Sequence, residues 1–242
     1  MFINQNTVVR DVAVAIPAST RVFEKLGIDY CCEGSRPLGE ACERSGLNLT
    51  EVVRSLEAVE KEQDALTNSR DWNREPLALL IEHIVQKHHA FTKEELGRLT
   101  TLLDKVISAH GNNHAELIDV QRNFEALRQE LISHMFKEEQ ILFPHIAAME
   151  SALDRKQPLP RPPFGSVQNP VRMMVHEHDQ AGTLLQVLRQ LTTGYTVPDD
   201  ACLSYKTLYS ALEGFEQDLH LHIHLENNIL FPKAAEMEKS IH

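Results

Sequence analysis

His134 and Glu138 stand four residues apart, and an Ile-Leu-Phe-Pro run, residues 141–144, begins seven residues after the histidine. The same arrangement returns as His222, Glu226 and a second Ile-Leu-Phe-Pro run at residues 229–232. Residues at i and i+4 share one face of a helix. Two such helices can aim two imidazoles and two carboxylates at one point, which is the donor set of a metal site. The flanking residues agree. Val120, Phe124, Leu127 and Leu131 lead to His134, with Glu138 and Ile141 following; Leu208, Leu212, Phe215 and Leu219 lead to His222, with Glu226 and Ile229 following. These steps alternate four and three, as on the inward stripe of a helix bundle. The histidine and glutamate thus fall where an apolar residue is expected, and a buried carboxylate is costly unless it is paired or bound to metal. A single pair would read as a buried His–Glu hydrogen bond. Two pairs in one register favour a shared metal site.

The elements that must position these groups read as helices throughout. In residues 1–70, a first small helical unit, the pattern predicts a helix from Val8 to Leu26 interrupted or kinked at Pro17. A turn-rich connector at Gly27–Gly34, a short helix at Leu38–Arg44 and a helix ending near Lys61 follow. Asn68–Asn73 reads as a polar linker. A second unit, residues 75–235, carries four long helical patterns, at about Pro76–Ala109, Ala115–Phe143, Pro170–Leu191 and Cys202–Phe231. The segment from Asp154 to Asn169 has four prolines and serves as a crossing loop. Each Ile-Leu-Phe-Pro marks the end or a kink of a helix, because proline disfavours helix in the residue before it. The expectation is an all-α fold: an up-down four-helix bundle behind a small helical domain.

A bundle site fed by the second and fourth helices should draw ligands from the first and third as well. Val171, Val175, His178, Leu185 and Leu188 share a phase, so His178 points inward and His176 elsewhere. On the first helix Ile81, Val85, His89, Leu96 and Leu103 form a stripe, but Ile84, His88 and Phe91 lie close to it, and phase leaves His88 and His89 nearly tied. The interval from His89 to His134 is 45 residues and that from His178 to His222 is 44, which tips the choice slightly to His89. The expected set is His89, His134, Glu138, His178, His222 and Glu226. Four imidazoles and two carboxylates suit iron, zinc or manganese. They exceed what one tetrahedral zinc takes and match two five- or six-coordinate ions with both carboxylates bridging.

Composition bounds the remaining choices. The 242-residue chain is 42% hydrophobic and 24% charged, ordinary for a globular protein, and its net charge of −11 argues against nucleic acid or an anionic membrane as partner. No apolar run approaches the roughly 20 residues needed to span a bilayer, and the first residues lack the apolar core of a signal peptide. A cytoplasmic location is expected. Four cysteines, Cys31, Cys32, Cys42 and Cys202, make no disulfide framework in a chain of this length.

Residues 75–235 resemble a haemerythrin-like domain, whose family shows this His…His-x-x-x-Glu repeat. The whole chain resembles the repair-of-iron-centres family of di-iron proteins. That likeness rests on Asp11–Pro17 followed by Asp29-Tyr30-Cys31-Cys32-Glu33-Gly34, on Lys137–Pro144 and on Leu225–Pro232. It implies two non-haem irons at the six positions above, with Glu138 and Glu226 bridging beside an oxo group, and a role in restoring iron–sulfur clusters damaged by nitric oxide or oxidants. The partners it implies are damaged iron–sulfur proteins or a cluster scaffold, with nitric oxide or dioxygen as small ligands, and a homodimer stays open. Reduction of nitric oxide to nitrous oxide at the diferrous centre and dioxygen or nitric oxide sensing are the alternatives.

Cys31 and Cys32 sit in a glycine-bearing turn and are expected to be exposed. By residue type alone they read as small turn residues; the resemblance favours a redox or iron-transfer role. Cys42 and Cys202 read as inert, His110 and His114 as solvated loop residues, and Tyr205 and Tyr209 as packing residues. His220 and His224 read as surface groups or as hydrogen-bonding support for the site. His145 is expected to leave the site after Pro144, and Glu139 and Asn227 to face water or a neighbouring helix. The phase argument has a direct check: His178→Ala should lose or scramble the metal while His176→Ala keeps it, as read by elemental analysis. Equal loss in both would defeat it.

Overall fold

Helix-forming sequence and heptad-like apolar spacing produce helices wherever they were expected, and the described residues contain no β-strand beyond one isolated bridge between Val8 and Pro37. The structure, a computed structural model, describes residues 1–31, 33–65, 71–158 and 162–241. Cys32 and part of the expected Asn68–Asn73 linker lie outside that set. Among the described residues no helix is long and apolar enough to cross a membrane.

The amino-terminal region holds α1 (Val9–Ala15), α2 (Ser19–Leu26), α3 (Leu38–Arg44) and α4 (Leu49–Ala65). Pro17 separates α1 from α2 outright, because a proline ring cannot follow a helical turn without displacing its carbonyl. Gly27 closes α2 in the left-handed conformation at φ 66°, where its amide reaches the Glu24 and Phe23 carbonyls. The bundle follows. Its first rod is α5 (Leu77–His83), a π turn (Ile84–His89) and α6 (Ala90–His110). The second is α7 (Glu116–Lys137), a π turn (Glu138–Leu142) and α8 (Phe143–Arg155). The third is α9 (Gln168–Leu191). The fourth is α10 (Leu203–Leu225), a π turn (Glu226–Leu230) and α11 (Phe231–Ile241).

The second and fourth rods therefore run past the points where the sequence predicted an end or a kink. Each Ile-Leu-Phe-Pro is bridged by a π turn in which the amide of Phe143 or Phe231 bonds the carbonyl five residues back, on Glu138 or Glu226. A wider turn relieves the clash that a proline ring makes with the carbonyl four residues back, so the helix continues instead of ending. The extra residue also rotates the apolar phase. Ile141, expected on the inward stripe, is 48% exposed, and Leu142 takes its place in the core. The first rod shifts similarly: Leu77 and Leu80 before its π turn and Ile84 at its start are buried, whereas Ile81 and Val85 are only partly so.

Within the bundle α7 packs chiefly on α9, and α10 chiefly on α6. Phe124 and Phe215 meet edge to face at 6.3 Å in the core between them. The amino-terminal helices share this core: Phe23, Tyr30, Leu38 and Leu56 belong to the same buried cluster as Leu127, Phe215 and Leu219. The segment that carries Cys31 is pinned to the fourth rod. Nδ2 of Asn228 donates to the Tyr30 carbonyl at 3.2 Å, the Tyr30 hydroxyl donates to Glu24 at 2.8 Å, and Glu24 in turn lies 3.2 Å from Nδ1 of His220.

Truncating a fully buried aromatic costs about 3–5 kcal/mol, whereas a change at an exposed site stays within about 0.5 kcal/mol. Phe215→Ala is expected in the first range and Leu203→Ala, 80% exposed, in the second, as read from urea unfolding midpoints. Similar losses at the two sites would place the core elsewhere.

Candidate metal centre

Each of the six expected side chains enters the interior from a different place on the four rods. His134 comes from the last turn of α7, His178 from the middle of α9 and His222 from the last turn of α10. His89 closes the first π turn, and Glu138 and Glu226 open the second and third. A π turn is uncommon and collects at functional sites; here all three carry a site residue. All six side chains are buried.

Their donor atoms form two quartets that share both glutamates. One is His89, His222, Glu138 and Glu226; the other is His134, His178, Glu138 and Glu226, and within each quartet all ligand atoms lie within 4.8 Å of one another. Nε2 of His89 is 3.1 Å from Nε2 of His222, and Nε2 of His178 is 2.9 Å from Nε2 of His134. Glu226 lies 2.9 Å from Nε2 of His222 through one oxygen and 3.1 Å from Nε2 of His178 through the other. Glu138 reaches Nε2 of His89 at 3.4 Å and of His134 at 3.3 Å, both through Oε2. The histidines thus pair between the first and fourth rods and between the second and third, the rods whose helices α6 and α10, and α7 and α9, pack on each other, and the carboxylates stand between the pairs. The two sequence copies do not each build one half: His89 pairs with His222 and His134 with His178.

The donor set fits cations. Among the described residues both oxygens of Glu138 and Oε2 of Glu226 are buried without a hydrogen-bond donor of acceptable geometry, despite their short distances to imidazole nitrogens. An orphaned carboxylate in the core is a strong penalty that a cation removes. Two facing Nε2 atoms likewise need either a proton or a metal between them.

Burial opposes charge on His89 and His134, but Glu138 and Glu226 outweigh it and raise both to a pKa of about 10. Burial also opposes ionisation of Glu226, yet the surrounding His222, His178 and His89 hold it well below the ordinary carboxylate value. Glu138 is held low in the same manner by His134 and His89, against burial and the charge of Glu226. Metal uptake therefore replaces protons, and acid should weaken it.

Three of the four histidines are oriented from behind. Nδ1 of His89 donates to Glu139 at 2.7 Å, Nδ1 of His134 to Glu177 at 2.9 Å and Nδ1 of His178 to Oδ1 of Asn227 at 2.8 Å. Such bonds turn the Nε2 lone pair inward. The reading of Glu139 and Asn227 as facing a neighbouring helix is thus met with a specific purpose. Each follows one of the two shared glutamates by one residue and supports the histidine of the preceding rod, so the matched position in the two copies was the available signal. Glu177 carried no such signal, since the matched position in the other copy is His88 and no pair repeats there.

His88 is buried beside the centre but outside it: Nδ1 lies 3.0 Å from Asp218, and the ring stacks on His222 at 5.8 Å. The π turn is why both His88 and His89 face inward. His176 is exposed, as expected. His145 leaves the site and packs on Phe164 at 4.9 Å. His224 is not a surface residue. It is buried, burial lowers its pKa to about 4, and as a neutral ring its Nδ1 accepts from Asn228 at 2.9 Å. Tyr205 and Tyr209 are buried packing residues, as expected. Cys31 corrects an expectation. It is 5% exposed, with its thiol 3.4 Å from Asp29, because the turn that carries it folds under Tyr30 against α10.

Comparison with known proteins agrees with this geometry. The family described as Hemerythrin HHE cation binding domain matches residues 79–234. A Domain of Unknown function (DUF542) matches residues 5–60. A Haemophilus influenzae protein named "Probable iron-sulfur cluster repair protein" is 39% identical over 224 residues, 93% of this chain and 94% of its own. The "Iron-sulfur cluster repair protein YtfE" of Pectobacterium carotovorum is 35% identical over 228 residues, 94% of this chain and 96% of its own. One from Yersinia pseudotuberculosis is 35% identical over 227 residues, 94% and 96% of the two chains.

Removing a hydrogen-bond partner behind a ligating histidine typically costs about 10–100-fold in metal affinity. Glu139→Ala and Asn227→Ala should each weaken metal retention in a chelator competition by that factor, while His88→Ala keeps the parent's metal-to-protein ratio. Unchanged retention in both supporting variants would contradict the roles given to them.

Proposed function

The chain belongs to the repair-of-iron-centres family of haemerythrin-like proteins, and from that premise we propose that it holds two irons between His89/His222 and His134/His178 and helps rebuild damaged iron–sulfur clusters. The observation that carries this reading is the pair of four-atom donor sets with Glu138 and Glu226 common to both. When bound, a bridged di-iron centre supplies labile ferrous ions and one-electron redox chemistry. The residues supply the rest. Glu138 and Glu226 would reach both ions and offset their charge. The four imidazoles would provide neutral ligands, which would leave the ions less tightly held than a carboxylate-rich cage would, since each carboxylate adds a full charge to the attraction. Glu139, Glu177 and Asn227 fix the rings. The closely packed apolar residues around the centre, Phe143 at 5.7 Å from the His89 ring and Phe231 at 6.1 Å from the His178 ring, limit water.

Cys31 has a place in this reading as an electron or iron relay, together with Cys32. Its support is the hydrogen bond from Asn228, two residues past Glu226, to the carbonyl of Tyr30, the residue before Cys31. A buried thiol cannot exchange with a partner directly, so delivery through Cys31 requires the Asp29–Cys31 turn to lift from α10. We place the chain in the cytoplasm, with damaged iron–sulfur proteins as partners.

The test is reactivation of a nitric-oxide-damaged iron–sulfur hydratase under anaerobic conditions. Iron-loaded parent protein should restore activity and surrender iron. Glu226→Leu, which keeps the apolar stripe but removes a bridge, should lose the coupled di-iron spectrum and most of the restoration. The pair Cys31→Ser and Cys32→Ser should keep the iron and lose rate. Full restoration by the Glu226→Leu protein would overturn the role of the centre. Full restoration by the double serine variant would remove only the cysteines from it.

A further inference from the structure

At the end of the bundle remote from Glu138 and Glu226, three ligand-bearing residues converge that the repeat does not account for. His110 is the last residue of α6, His114 lies in the turn to α7, and Asp200 lies in the loop before α10. Their ligand atoms all fall within 4.8 Å of one another. Nε2 of His114 is 3.0 Å from Oδ1 of Asp200, and its Nδ1 is 2.9 Å from Glu116. Both rings are set by the buried Tyr205, whose ring meets each of them at 5.3 Å. Cys202, the exposed residue that precedes α10, is a neighbour of His110 but not one of these mutually close groups.

We propose that His110, His114 and Asp200 form a second, mononuclear site for a divalent transition-metal ion, zinc in first place, at the far end of the bundle. Two imidazoles and a carboxylate, with a water in the fourth position, are a tetrahedral zinc set by type and number. The Glu116–His114 hydrogen bond is the arrangement that holds a zinc-binding imidazole in the correct tautomer, with Nδ1 donating and Nε2 free to ligate. The 3.0 Å between Nε2 and Oδ1 is close to the spacing of two ligand atoms on one zinc. The exposed Asp200 leaves the site open to an arriving ion. It is separate from the central site: His110 stands 21 residues beyond His89, about 30 Å along a helix. A bound ion would tie the α6–α7 turn to the α9–α10 loop and clamp the distal end of the bundle.

The test uses full-length protein already loaded with iron, titrated with Zn²⁺ by calorimetry and with Co²⁺ by absorption. One further equivalent should bind without displacing iron. Cobalt should show the intense visible bands of a tetrahedral ion. His110→Ala should weaken binding, and His114→Ala should abolish the equivalent. Glu116→Ala should weaken it by about tenfold or more. Zinc should raise the melting temperature of the parent and not of His114→Ala. Far-ultraviolet circular dichroism and an unchanged iron content establish that each variant is folded. No further equivalent in the parent, or equal cobalt binding by parent and a folded His114→Ala protein, would overturn the proposal.

Discussion

Two carboxylates fully buried at the centre of a four-helix bundle are the constraint on which the rest of this structure depends. Burial of an ion costs several kcal/mol even after relaxation, and Glu138 and Glu226 repel one another as well. Their hydrogen-bonding capacity is left partly unmet by protein groups. Such an arrangement persists only where positive charge answers it, by protons on the imidazoles or by cations. The four histidines, the groups that orient them and the pairing of α6 with α10 and α7 with α9 all follow from the need to present that charge from every side.

The π turns are how the backbone meets this demand. A regular helix would place one residue of His88 and His89 inside and the other at the flank; the turn at Ile84–His89 brings both in. The turns at Glu138–Leu142 and Glu226–Leu230 start on the two central glutamates and let the chain pass Pro144 and Pro232 without stopping. The first π turn contains no proline, and the structure offers no equivalent local cause for it. The consequence downstream is that α8 and α11 extend the rods beyond the site and bury Phe143 and Phe231 against the ligand rings.

Much of the site was legible because a duplicated motif repeats its errors as well as its successes. Polar residues at apolar phase, twice in one register, identify Glu138 and Glu226 without reference to any fold, and the stripe through Val171 and Leu185 separates His178 from His176. Periodicity failed wherever a π turn broke its period: it put Ile141 inside and nearly tied His88 with His89. It failed too where partners lie on different rods, since no local spacing joins His134 to Glu177 or His88 to Asp218. Cys31 was misjudged for a further reason. A turn is ordinarily exposed, but this one is covered because Tyr30 packs on His224 and Asn228 holds its carbonyl. The amino-terminal helices accordingly share the bundle's apolar core.

The central claim, two cations held between cross-paired histidines by the same two glutamates, is tested most directly by anomalous diffraction at the iron edge from crystals of protein prepared with iron. The account predicts two peaks per chain, one flanked by His89 and His222 and the other by His134 and His178, with Glu138 and Glu226 reaching both. A single central peak, or iron bound outside these six side chains, would contradict it.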